Sequence, residues 1–511
     1  MGHLISKPLQ WLSGDSWRNP KHPDFWLLVI LVFGAGIRLW YLTKPLDWFI
    51  SFFIADDCFY YLNTAYNIVH GFGSSFDAGL SQHNGFHPLF MVLLLIPASL
   101  GVGKAGLIYW SAGILTLSLL ASIVLAYRLG ALWGDRRMAL CAPLFLALNI
   151  FFVKISFSGF ESALALAFVL GLVYALASGR SGWVVGLLLG LTGLARIELL
   201  LLSVPTCLYL VRQHRWRDLG AAALISFVLV LPWFVWSYTN FHSLLPLSGV
   251  AKASAFQSDR LWMGFQVFCQ HIPPLLMGLG LKSKLPPQLA FAVGVLVLYL
   301  VQKDWRTTGW VSILAPLMIL LYGSFTNPNQ VPQFVRYCIP AFVILGILLF
   351  ARRMRPRLLV PILVAASVIF WSYDFYEWSA RTRTLPTFVG LGQAEVPGIL
   401  DKISGPDDRV GCFDSGSIGY FSAQPVINLD GLVNSDVINM LRPEEGGRWD
   451  HRYRRYFAEK GITILVGGTA FSWIRLFPDL DEWEVLHPPL TTTDGGEIVF
   501  LRIPDSAEPG S

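Results

Sequence analysis

The chain has 511 residues, 54% of them hydrophobic and only 14% charged, where an average soluble domain carries about 25% charged residues. That deficit, with several apolar runs of roughly 15–20 residues, excludes an ordinary soluble enzyme and indicates a polytopic membrane protein. A formal net charge of +5 gives no support to nucleic-acid binding. The six cysteines, Cys58, Cys141, Cys207, Cys269, Cys338 and Cys412, show no CxxC spacing and indicate neither a metal knuckle nor a disulfide scaffold.

Residues 1–24 are polar and carry Lys7, Arg18 and Lys21. They predict a cytoplasmic N-terminus with no cleavable signal, followed by a first span over 25–43. Arg38, near the outer end of that span, is expected to snorkel. Residues 44–86 set Lys44 against Asp47, Asp56, Asp57 and Asp77, an acidic loop suited to the non-cytoplasmic side. Within it Phe59, Leu62, Ala65, Tyr66 and Val69 recur at helical spacing and predict an interfacial helix over 57–70. Asp56 and Asp57 sit at its start, where carboxylates are favoured. They are either caps of that helix or reactive groups, and one cap would suffice.

The apolar run 88–100 is short for a span. Read as re-entrant or flat, it keeps the basic loop 128–137 in the cytoplasm and makes charges alternate to the end. Spans then follow at 107–127, 138–153, 163–177, 183–195, 199–211, 219–239, 288–301, 310–324, 339–351 and 358–373, about eleven in all. Residues 156–161 form an outer turn, and 240–287 an outer segment interrupted by His271, Pro273 and Pro274. Residues 374–511 contain no spanning run. Strand-like stretches at 409–413, 426–429, 462–466, 483–486 and 498–503, with helical ones at 396–403 and 451–460, predict an extracytoplasmic α/β domain behind a transmembrane domain of residues 1–373. Its Asp414, Asp430 and Asp436 fall in turns after strands. The expectation is that this domain tunes acceptor binding without supplying the base.

This topology brings Asp56, Asp57, His83, Asn84, His87, Glu161, Arg196, Glu198, Lys252, Arg336 and Tyr337 to one side. Arg196 and Glu198 interrupt an apolar stretch. They are equally a structural ion pair closing a hairpin or a fork for a phosphate group. His83 and His87 with the aspartates could hold a divalent cation, though plain loop hydrogen bonding explains them more simply. Glu161 ends a possible tight turn, Lys252 could be an ordinary loop lysine, and interfacial snorkelling would also explain Arg336 and Tyr337.

The run D-D-x-F-Y-Y-L-x-x-A-x-N-I-x-x-G-x-G from Asp56, with Phe76-Asp77 and N-G-x-H-P-L from Asn84, resembles the first outer loop of GT-C membrane glycosyltransferases. That group includes protein O-mannosyltransferases, lipid A aminoarabinose transferases and arabinofuranosyltransferases. SGFES (158–162), GLARIE (193–198) and RYCIP (336–340) extend the resemblance, and GSIGYFSAQPVINLDGLVN (416–434) is similar to the outer domain of bacterial members. Ile197 stands where such proteins often have proline, and Cys58 is unusual after the acidic pair; neither change removes a reactive group. The resemblance implies an α-helical GT-C fold in a bacterial plasma membrane. It implies inverting transfer of a sugar from a polyprenyl-phosphate donor to a glycan, lipid or protein acceptor, on the extracytoplasmic side. Asp56 or Asp57 would be the base, and Arg196, Arg336 or Lys252 would steady the departing phosphate. The resemblance fixes no cofactor and admits a divalent cation. The rival readings are a transporter or lipid-linked-sugar flippase, which should show repeated halves, and a non-catalytic scaffold.

Overall fold

The computed structural model describes residues 18–247, 249, 339–341, 343–344, 346–347, 387–440, 449–469, 476–493 and 496–504. Lys252, Arg336 and Tyr337 lie outside the described residues, as do the expected spans 288–301, 310–324 and 358–373 and nearly all of segment 240–287 beyond residue 249.

Helix α1 (Pro23–Leu42) begins with proline in its first turn and ends at Thr43. Trp26, Val32, Phe33, Leu39 and Trp40 are exposed on it, a surface suited to lipid. Arg38 does not snorkel: it is completely buried. Its guanidinium donates to Ser156 Oγ (2.9 Å), Gly34 O (2.9 Å), Ala147 O (3.1 Å) and Leu146 O (3.3 Å). The reason lies in the expected span 138–153, which is not one helix. A short 3-10 turn (Met138–Leu140) leads into α6 (Cys141–Leu148), and after a break at Asn149 the chain resumes as α7 (Ile150–Ile155). Asn149 turns out of helical geometry and its side chain accepts from Phe151 N at 2.9 Å. The break orphans the last carbonyls of α6, and Arg38 satisfies two of them, Leu146 O and Ala147 O.

Helix α2 (Leu46–Phe53) leads to α3 (Cys58–Val69), which is buried on nearly every face. Helix α4 (Pro88–Ser99) has 12 residues, roughly 18 Å of rise, short for a span as expected. The long α5 (Lys104–Trp133), α8 (Ser162–Ala177), α9 (Gly182–Ala195), α10 (Ser203–Arg212) and α11 (Trp216–Phe241) follow. The expected span 199–211 begins instead as a 3-10 helix, Ile197–Leu202. Among the described residues α1, α5 and α11 are long and apolar enough to cross a bilayer, and the protein is an integral membrane protein. Helices α9 and α11 cross closely because Gly182, Gly186 and Gly190 recur every fourth residue. An added Cβ would meet Ala222 O at 2.7 Å from Gly186 and Leu229 Cδ1 at 2.8 Å from Gly190. Small residues at this spacing drive helix association in lipid.

The C-terminal part builds a five-stranded sheet of order β2-β1-β3-β5-β4 from β1 (Val410–Cys412), β2 (Val426–Asn428), β3 (Ile464–Gly468), β4 (Glu484–Thr491) and β5 (Glu497–Arg502). Strands β2, β1 and β3 are parallel, and β5 and β4 run antiparallel. Helices α12 (Phe388–Ala394), α13 (Val396–Ile403), α14 (Gly416–Phe421), α15 (Ser435–Met440) and α16 (Trp449–Lys460) accompany it. Alternation along the strands feeds two cores. Ile464 and Val466 pack with α13, and Leu465 with Tyr453 and Phe457 of α16. Adjacent β1 and β2 are joined through α14, so the turns after both strands, carrying Asp414 and Asp430, emerge at the same sheet edge.

Candidate active site

That sheet edge meets the turn between α2 and α3. Asp57 is the N-terminal cap residue of α3 but makes no side-chain capping bond there. Asp56 caps a helix in the C-terminal part instead. Its Oδ2 accepts from Gly416 N (2.8 Å), and its Oδ1 accepts from Ser417 N (2.8 Å) and Ser417 Oγ (2.7 Å). A Cβ on Gly416 would run into the Asp56 backbone and carboxylate, so glycine is required there. The half-buried Asp56 carboxyl is pushed up to about 7 by burial, against the Ser417 and Gly416 hydrogen bonds that favour its charged form. Four residues on, Tyr60 donates to Asp430 Oδ2 (3.1 Å) and accepts from Asn428 Nδ2 (3.3 Å). Phe76 of the first loop packs edge-on against Tyr60 at 5.2 Å and fills the space over Gly419. The two parts of the chain therefore interlock.

Asp414 and Asp430 complete an acidic group around this turn. Asp414 has a positive φ of 53°, a left-handed conformation that Asp and Asn tolerate better than most residues. Burial first, then the charges of Asp430, Asp56 and Asp57, push its carboxyl up to about 8. A carboxyl with a raised folded pKa binds protons more tightly folded than unfolded. Its contribution to stability is full below the ordinary value of 3.8 and is lost as pH rises toward 8. The Asp414→Asn variant, which keeps the backbone preference and removes the charge, should be less sensitive to pH between 5 and 8 and more stable than wild type at pH 8, by roughly 1–2 kcal/mol. Thermal unfolding of the detergent-solubilised protein across that range checks this. A variant as pH-sensitive as wild type would contradict it.

A second network lies on the other side of α3. Tyr61 donates to Glu161 Oε2 (3.0 Å), and its hydroxyl accepts from His87 N (3.1 Å). Arg196 meets Glu161 Oε1 at 2.9 Å through Nη1 and Glu198 Oε1 at 2.6 Å through Nε. His87 Nε2 stands 3.7 Å from Glu161 Oε1, while its Nδ1 accepts from Ile197 N at 3.4 Å. The side chains of Glu161, Arg196 and Glu198 are 6%, 8% and 10% exposed, so one guanidinium faces two buried carboxylates. The geometry is that of the structural ion pair, widened to three residues. The turn bearing Glu161 also seats the acidic pair: Ser158 O accepts from Ala55 N (3.4 Å), and Gly159, at φ +76°, leaves no room for a Cβ beside Cys58.

His83 and Asn84 hold the loop together. His83 Nδ1 accepts from Gly85 N at 3.1 Å, so its Nε2 carries the proton and donates to Thr64 Oγ1 at 3.0 Å. Burial pushes this imidazole down to about 3, keeping it neutral. Asn84 ties the loop to the end of α11 through Ser237 Oγ (2.7 Å), Leu245 O (3.2 Å) and Leu247 N (2.9 Å). Among the described residues no group of three or more His, Cys, Asp or Glu is arranged to hold a metal ion, and both histidines are committed elsewhere. Asp436, the third aspartate noted in the C-terminal turns, pairs with Lys460 at 2.6 Å, not with the acidic group. Tyr60, Tyr61, Gly416 and Ser417 escaped the sequence reading as site residues. The tyrosine pair beside two aspartates and the small residues of DSGSIG were the available signals.

A family model described as a domain of unknown function (DUF8728) matches residues 389–498, the segment carrying the sheet. No curated protein matches the chain. Among solved structures the chain is similar to ArnT from Cupriavidus metallidurans bound to undecaprenyl phosphate, at 12% identity and TM-score 0.57, over 94% of this chain and 99% of that one. The same protein in the apo state matches at 12% identity and TM-score 0.58, over 96% and 99%. The oligosaccharyltransferase of Archaeoglobus fulgidus in the apo form matches at 13% identity and TM-score 0.52, over 86% of this chain and 69% of that one. At such identities the likeness is one of fold: the chain shares its fold with ArnT and with the archaeal oligosaccharyltransferase.

Proposed function

We propose that this protein is an inverting glycosyltransferase, moving a hexose or pentose from a polyprenyl-phosphate donor to an acceptor hydroxyl at the extracytoplasmic face of a bacterial plasma membrane. The observation that carries the reading is the Asp56 carboxylate, fixed through both oxygens at the turn between α2 and α3, in a fold shared with a structure bound to undecaprenyl phosphate. Alternating loop charge supports an external site, and nucleotide sugars are cytosolic, so a lipid-linked donor is the supply that fits. The division into a transmembrane part (1–373) and an external part (374–511) belongs to the same reading.

Asp56 is the base. It takes the proton of the acceptor hydroxyl as that oxygen attacks the anomeric carbon from the side opposite the phosphate. The carbon–oxygen bond to phosphate breaks, and the polyprenyl phosphate leaves with the electron pair. A carboxyl raised toward 7 suits a general base working near neutral pH. Asp57 supports the acceptor. Lys252 and Arg336 are the cations assigned to the departing phosphate, because Arg196 already faces Glu161 and Glu198.

The test is incubation of the purified full-length protein with undecaprenyl-phosphate sugars labelled in a hexose or a pentose. Release of undecaprenyl phosphate with the label moved to water or an added acceptor is the expected result. Movement of the intact lipid-linked sugar across proteoliposomes without cleavage would instead establish the flippase reading.

A further inference from the structure

We infer that the C-terminal part of the chain builds a portion of the active site, with Ser417 as the residue that positions Asp56 for proton abstraction. The inference rests on the glycosyltransferase reading above and on the geometry of a single contact. Both Asp56 oxygens are held by consecutive residues, 416 and 417, some 360 positions away in sequence. Of those three donors only the Ser417 hydroxyl comes from a side chain. Ser417 is completely buried, and the hydrogen bond from its hydroxyl goes to Asp56. The surrounding segment is latched rather than merely adjacent. Asn428 bridges Tyr60 OH (3.3 Å) and Ser415 Oγ (3.0 Å), so Tyr60 and Asp56 are gripped by one continuous stretch. Tyr420 donates to Lys104 O at 2.7 Å at the start of α5, and Lys104 Nζ donates back to Tyr420 O.

A base works only when its lone pair points along the path of the proton, and misplacement is costly even when binding is intact. A carboxylate at a chain turn has free rotation about two bonds. Three donors converging on both oxygens remove that freedom and leave the outward lone pairs in a fixed direction. The same role is played in hydrolytic triads by the acid that orients the histidine; here the orienting group is a hydroxyl brought in from a separate folding unit. The titratable groups facing Asp56 are Asp57, Cys58 and Tyr60 from its own side and Cys412 and Asp414 from the other. The Ser417 bond favours the charged form of Asp56 against burial and the charge of Asp57.

Ser417→Ala keeps the 417 N–H and removes only the hydroxyl. The comparison is Ser435→Ala, which loses a contact at the same junction, from Ser435 Oγ to Gln82 O (2.9 Å), without touching Asp56. Two measurements on the full-length protein decide. The first is turnover of undecaprenyl-phosphate hexose and pentose. Ser417→Ala should lower it about tenfold without changing affinity for undecaprenyl phosphate, Ser417→Thr should restore most of it, and Ser435→Ala should leave it unchanged. The second needs no turnover: the pH dependence of Asp56 labelling by a hydrophobic carbodiimide, mapped by mass spectrometry. Its midpoint should lie near neutrality in wild type, move upward by roughly half a pH unit in Ser417→Ala, and stay in place in Ser435→Ala. An unmoved midpoint in a folded Ser417→Ala protein, or equal loss from both serine variants, would reduce Ser417 to a docking contact and overturn the inference while leaving the transferase reading standing. An Asp56→Asn protein with undiminished turnover would overturn both.

Discussion

Asp56→Asn should lower turnover by two orders of magnitude or more, about 3 kcal/mol in barrier, with the residual rate no longer falling as pH drops through neutrality. The amide cannot take a proton, so the chemical step loses its base. The substitution is not structurally silent, as a simple capping role for the aspartate would make it. The amide oxygen can still accept from Ser417 N and Oγ, but the amide nitrogen would then face Gly416 N–H, donor against donor. That costs on the order of 1 kcal/mol at the junction, too little to account for a hundredfold loss. Binding of undecaprenyl phosphate should survive, since the phosphate is assigned to cations elsewhere. Asp57→Asn is the internal comparison and should lose less, because the Gly416 and Ser417 donors converge on Asp56. Turnover of Asp56→Asn within threefold of wild type, or a larger loss in Asp57→Asn, would move the base away from Asp56.

The contrast between these two aspartates also marks where sequence reading stops. The helix after them was legible, because Phe59, Leu62 and Ala65 repeat at helical spacing and are buried accordingly. Four strands of the C-terminal sheet were legible for the same local reason, as short apolar runs between turns, while β4 extends past the expected 483–486 through the polar and proline stretch to Thr491. What pairs with Asp56 was not, since a hydrogen bond between residues 56 and 417 has no periodicity to betray it. The break at Asn149 was hidden inside a run that is apolar on both sides, and only the asparagine itself, a good helix cap, pointed to it. Arg38 followed from that break: a guanidinium in a membrane helix is read as snorkelling until an orphaned helix end appears beside it. Arg196 was half legible. Glu198 is two residues away, but Glu161 comes from another helix start.

Arg196→Met should therefore destabilise the protein by about 3–5 kcal/mol, the cost of stranding buried charge without its partner. Two carboxylates, Glu161 and Glu198, would be left facing each other, with the imidazole of His87 3.7 Å from Glu161. Tyr61 would keep its bond to Glu161 but lose the frame that holds it. Arg196→Lys should recover only part of the loss, because an ammonium is a point charge and cannot address both carboxylates along the fork used here. Replacing the whole set, Arg196→Met with Glu161→Gln and Glu198→Gln, should regain most of the stability, since removing all members of a buried ion network is far less costly than removing one. Thermal unfolding in detergent, paired with titration of undecaprenyl phosphate, separates this from direct phosphate binding. If Arg196 were chiefly a phosphate ligand, the single variant would unfold near the wild-type temperature and lose affinity for undecaprenyl phosphate, and the triple variant would regain none of it. The buried geometry, with the guanidinium spent on two carboxylates at 2.6 and 2.9 Å, predicts the opposite order: stability lost first, and affinity only as far as the fold is lost.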